Sequence, residues 1–157
     1  MGRSLSLKGC AEVFRADGSL RDVRVRATSL ADWQKVLDLL SSRYPARYLV
    51  DGCERERPRS AAEAFSTRAR ADPVMSFEVG GLRVNCHFFE SEVLELDLQP
   101  SEVASEERFA ALQELLRSIG DLLGKPVDLT RENAPELVMM RYDPANRAFH
   151  VMKHSGR

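Results

Sequence analysis

From Met75 to Leu98 the chain alternates apolar and polar residues through three successive runs, and no other stretch restricts its fold as tightly. Met75, Phe77 and Val79 lead to Gly80-Gly81; Leu82, Val84, Cys86 and Phe88 follow, and then Leu94, Leu96 and Leu98. Successive side chains of a strand point to opposite faces, so each run has one apolar face. A Gly-Gly pair between two such runs predicts a two-residue hairpin turn, whose central positions need positive φ. The pairs Val79–Leu82, Phe77–Val84 and Met75–Cys86 follow. The third run depends on its loop. A three-residue loop of Glu90, Ser91 and Glu92 puts the leucines on the face of Phe88 and Cys86, whereas a two-residue loop sets Phe88 against Val93 and inverts them. A three-stranded meander with one buried face is therefore expected. Its outer face would carry Ser76, Asn85 and Asp97 in one row, Val74, His87 and Glu95 in a second, and Glu78 opposite Arg83.

The flanking segments supply further strands and the helices. Leu5, Leu7, Gly9, Ala11 and Val13 alternate ahead of Asp17-Gly18, and Val23 and Val25 alternate with arginines after it. This predicts a β-hairpin with Arg24 and Arg26 on its exposed face. Ser29 and Asp32 begin a helix over 29–43, with Leu30, Trp33, Val36, Leu37 and Leu40 at helical spacing and Trp33 expected in the core. ARYLVDG at 46–52 reads as a strand and CERERPRS as a charged connector. Ser60 and Glu63 open a capping box, so 60–70 forms either a short docked helix or an excursion. Ser101 or Ser105 caps the second main helix, at 102–123, whose stripe is Phe109, Leu112, Leu116, Ile119 and Leu123; Gly124 and Pro126 end it. PVDLT, ELVMMRY and RAFHVMK complete the β structure. The expected fold is α+β, a single domain over 1–157, with a largely antiparallel sheet and the two main helices packed on one face.

Composition narrows the class. With 157 residues, 43% hydrophobic and 30% charged, the chain suits a soluble globular domain. No apolar run reaches the roughly 20 residues of a membrane span, and MGRSLSLKGCAEVF lacks a signal-peptide core. Gly2 resembles a myristoylation start, but Leu7 stands where Ser or Thr belongs. Cys10, Cys53 and Cys86 make no disulfide framework or CxxC, which fits reduced thiols in a cytoplasm. The net charge of −1 is uneven, about +5 over residues 1–70 and −6 over 71–157. Such a dipolar chain suits either an electrostatic partner surface or two solvated charge sets.

Few residues suggest chemistry. Cys86 and His87 are adjacent, but on one strand they face apart, so a nucleophile–base pair is not expected. His150 and His154 lie four apart, a spacing that would gather metal ligands on a helix but not on a strand running into a tail. No phosphate-binding loop, GxSxG or HExxH is present. Arg15, Arg21, Arg24 and Arg26, with Arg55, Arg57 and Arg59, form basic clusters without interleaved aromatics, which argues against a nucleic-acid binder. No catalytic residue, metal or cofactor is expected. The acidic run is the stronger lead: Glu90, Glu92, Glu95, Asp97, Glu102, Glu106 and Glu107 occur between residues 85 and 107 with no lysine or arginine among them. It suits a solvated face, or a surface that draws in a basic partner.

CHFFESEVLELDLQPSEV, with LGKPVDLTRENAPELVMMRYDP after the main helix, is similar in style to bacterial immunity proteins that neutralise polymorphic or contact-delivered toxins. The resemblance implies a non-catalytic binder that occludes a cognate toxin, often encoded beside it. The acidic run would suit a toxin with a basic surface, such as a nuclease. The expected contact residues are Asn85, His87, Phe89, Glu90, Glu92, Glu95, Asp97, Glu102 and Glu106. Two other readings stay open: a small enzyme or ligand-binding domain with a polar pocket around Asn85, His87, Glu95 and Asp97, and a structural or oligomeric scaffold.

Overall fold

The computed structural model describes residues 5–152; Gly2 and His154 lie outside them. Among the described residues, nine strands form one antiparallel sheet: β1 (Arg21–Arg26), β2 (Ala46–Val50), β3 (Cys53–Arg55), β4 (Pro73–Val79), β5 (Leu82–Glu90), β6 (Val93–Leu98), β7 (Val127–Arg131), β8 (Ala134–Asp143) and β9 (Ala148–Val151). Their order is β3-β2-β4-β5-β6-β1-β7-β8-β9. The helices are α1 (Leu30–Arg43), α2 (Ala61–Arg68) and α3 (Glu106–Leu123), with 3-10 segments at Lys8–Phe14 and Pro100–Glu102.

The meander has the expected register. Val79 pairs with Leu82, Phe77 with Val84 and Met75 with Cys86. Cys86 sits opposite Leu96. The loop differs from expectation. Glu90 pairs with Val93 across a two-residue turn, and between this pair and His87–Glu95 the two residues Phe88 and Phe89 face Leu94 alone. One extra residue in β5 thus restores the parity that a two-residue turn would have inverted. Trp33 Nε1 and Thr28 Oγ1 both donate to the Ser91 carbonyl, at 2.9 and 2.7 Å, and hold this turn in place.

The amino-terminal hairpin does not form. Residues 8–14 make a 3-10 helix in which Cys10, Val13 and Phe14 are buried, so the i, i+3, i+4 spacing prevailed over the alternation. Gln113 of α3 binds both backbone groups of Leu5, at 2.7 and 3.1 Å, and supplies what a strand neighbour would have. β1 instead lies between β6 and β7, with Arg21 only 1% exposed and donating to the Val13 and Arg15 carbonyls at 2.6 and 2.9 Å. Of the two arginines expected on an exposed face, Arg26 is exposed and Arg24 is half-buried. The expected connector at 53–55 is strand β3, paired with β2. Ser105 caps α3 by accepting from Arg108 N at 3.1 Å, so residues 102–105 precede the helix.

The core runs along the apolar side of the sheet. Trp33 of α1 stacks on Phe88 of β5 at 5.3 Å and meets Phe65 of α2 at 4.8 Å. Phe109 of α3 packs edge-on to Phe14 at 5.3 Å. At the β4–β5 turn Gly80 lies close against α3: its φ is +55°, and a Cβ there would lie 2.5 Å from Ala111 Cβ. Among the described residues, no helix is long and apolar enough to cross a membrane.

Candidate functional site

The polar side of the sheet carries the candidate residues, and register fixes their order. One row runs Leu49 (β2), Val74 (β4), His87 (β5), Glu95 (β6), Arg24 (β1), Asp128 (β7), Arg141 (β8). The next runs Arg47, Ser76, Asn85, Asp97, Asp22, Thr130. Cys86 is fully buried while His87 lies on the polar side, so the two neighbours face apart.

In the middle of this face the polar groups pair with one another. Arg24 Nη1 donates to Glu95 Oε1 at 2.6 Å, with both side chains under 20% exposed. His87 Nε2 lies 2.6 Å from Asp97 Oδ2, and Asn85 Nδ2 donates to Asp97 Oδ1 at 3.3 Å. Arg141 forks onto Asp128 at 2.5 and 3.1 Å. Asp22, the Cα partner of Asp97, is 4% exposed and accepts from Asn133 N at 2.9 Å. Burial pushes its carboxyl up to about 6; the Asn133 bond opposes this and the charges of Glu95, Asp97 and Glu132 add to it. Burial opposes protonation of His87, but the Asp97 hydrogen bond and the charges of Asp97, Asp72 and Glu95 outweigh it, so its pKa is raised. The Cys86 thiol is pushed far above its usual range by burial first and the Asp97 charge second, which makes it a poor nucleophile.

The expected site residues therefore separate into three groups. Asn85, His87, Glu95 and Asp97 come together but spend their charge on one another and on Arg24. Phe89, Glu90 and Glu92 lie exposed at the β5–β6 turn. Glu102 and Glu106 lie elsewhere. Glu102 accepts from Arg83 N at 2.9 Å, about 23 Å along β5 from Glu90 at ~3.3 Å per residue. Glu106 accepts from Leu7 N at 2.8 Å and Lys8 N at 3.3 Å. Asp22, Asp128 and Arg141 were missed, and Arg24 was assigned to a basic hairpin instead, because only the insertion of β1 between β6 and β7 brings them to this face.

Arg68 and Asp72, at the end of α2 and after it, were also missed. Phe89 is 47% exposed, its ring parallel to His87 at 5.0 Å, with the Arg68 guanidinium 4.8 Å from its centroid. Arg68 is paired with Asp72 at 2.7 Å.

A separate cavity of about 740 Å³ lies beside the amino-terminal 3-10 helix, between Cys10, Val13, Arg15, Arg131, Met139 and Val151. Among the described residues, no group of three or more His, Cys, Asp or Glu could hold a metal ion. No protein-family model matches the chain, and no curated protein or solved structure matches it.

Proposed function

We propose that this chain is a non-catalytic protein-binding domain, an immunity protein of the bacterial cytoplasm that neutralises a cognate toxin by covering its active surface. In this reading α1 and α3 pack on the apolar face of the sheet, and the opposite face is offered to the partner. One observation carries it: at the β5–β6 turn, exposed Glu90 and Glu92 follow an exposed Phe89, and no lysine or arginine bonds to either glutamate among the described residues. Such a rim attracts a basic partner, such as a nuclease, and speeds its docking. Glu95 and Asp97 shape the face rather than supply free charge. The test is calorimetric titration with the product of the gene encoded beside this one, at low and high salt. Tight binding that weakens with salt, and loses that dependence in Glu90→Lys/Glu92→Lys, is expected; a neighbour that does not bind removes the immunity reading.

One observation favours a second reading. The His87–Asp97 pair beside Asp22, whose carboxyl is pushed up to about 6, is the kind of perturbed cluster found in ligand and active sites. A small enzyme or ligand-binding domain would use it. Saturable binding of a small polar ligand, abolished by His87→Ala, would favour that reading over the binder.

A further inference from the structure

The geometry points to a docking surface formed jointly by β2, β4, β5 and α2 and centred on Phe89, which takes a protein segment presenting an apolar side chain flanked by lysine or arginine. This rests on the protein-binding reading above and locates its energetic centre, away from the carboxylates of the middle of the face.

Three observations carry it. First, Leu49, Val74 and His87 stand side by side across three strands, all half-buried, on the polar side of the sheet. Phe89 lies two residues beyond His87 and stacks on it, which extends this strip to the β5–β6 turn. Second, Phe89 is exposed yet already ordered. The extra residue at Phe88–Phe89 bends β5 there, His87 lies against the ring, and the Arg68–Asp72 pair fixes the guanidinium near it. An anchor held in place before binding loses little side-chain entropy on docking, and aromatic and arginine side chains dominate interface energetics. Third, the charges around the strip set the partner's sign. Arg47 and Arg68 are neutralised by Glu54 and Asp72, whereas Glu90 and Glu92 have no basic partner among the described residues. A second copy docked by the same patch about a two-fold axis would bring these glutamates toward their own equivalents, so a basic partner is the better complement.

The experiment follows amide spectra of the full chain during titration with a synthetic peptide bearing one tryptophan between lysine pairs, beside its glutamate counterpart. Saturable shifts centred on Leu49, Arg68, Val74, His87 and Phe89 with the lysine peptide alone are expected, and Phe89→Ala should weaken binding about thirtyfold while the remaining resonances stay in place. Arg68→Ala, which leaves the ring in place, should weaken it less. Shifts centred elsewhere, no saturable binding, or Phe89→Ala binding like the parent would overturn the proposal. Self-association that Phe89→Ala abolishes would overturn it too, by making the occupant a second copy. If Glu90→Lys/Glu92→Lys changes neither the affinity nor its salt dependence while Phe89→Ala still weakens binding, the acidic-rim reading fails and the anchor stands. Shifts confined to Glu90 and Glu92 and indifferent to Phe89→Ala would give the reverse.

Discussion

Replacing Asp22 with Asn should stabilise the protein at pH 8 and leave it unchanged at pH 4. Asp22 lies at the centre of the sheet, 4% exposed and beside Asp97, and its carboxyl is pushed up to about 6. In the unfolded chain the same group titrates near 3.9. Between those values the folded state binds the extra proton, so this group's contribution is fully present below about pH 4. It is lost as pH rises through about 6. Above pH 7 the loss reaches about 2–3 kcal/mol, at about 1.4 kcal/mol for each tenfold change. Asparagine keeps the size and the oxygen that accepts from Asn133 N, but it never ionises. Urea denaturation of both proteins between pH 4 and 8 measures the difference directly. It should be near zero at pH 4, open between pH 4 and 6, and level off at about 2–3 kcal/mol. A difference that does not change with pH, or a variant less stable than the parent at pH 8, would refute the reasoning.

Other outcomes follow from the same structure. Gly80→Ala should destabilise by about 2–4 kcal/mol, through both the left-handed backbone and the contact with Ala111, and a thermal midpoint unchanged from the parent would contradict this. Asp97→Asn should lower the His87 pKa, because burial then acts without the charged acceptor; ring resonances followed against pH report it, and an unchanged value would show that Asp97 does not govern His87. Because the His87 pKa is raised, the pair's contribution to stability is present below about pH 6.5 and lost as pH rises through the folded value, and Asp97→Asn should flatten that dependence. In the native protein a thiol reagent should modify exposed Cys53 and spare buried Cys10 and Cys86; rapid labelling of Cys86 would contradict its burial.

The meander could be read from the sequence because two independent signals agreed, strict alternation and a Gly-Gly turn. Its bulge could not, since Phe88-Phe89 carries no glycine or other mark of an extra residue. The amino terminus misled because Leu5, Leu7 and Val13 alternate while Cys10, Val13 and Phe14 also fit a helical turn, and contacts with distant α3 decide between them. β3 was hidden by its charged residues, which a fully exposed edge strand tolerates. The site was half visible. The rows through Asn85, His87, Glu95 and Asp97 follow from local register. Arg24, which neutralises Glu95 from 71 residues away, follows only from strand order. An acidic run without basic neighbours in sequence thus has one in space.

The most direct measurement is the affinity of the full chain for the product of the gene encoded beside it, for the parent and for Phe89→Ala. A one-to-one complex that weakens about thirtyfold in the variant is the predicted result. No complex, or one that the variant forms equally well, would contradict the central claim that the Phe89 end of the polar face binds a protein partner.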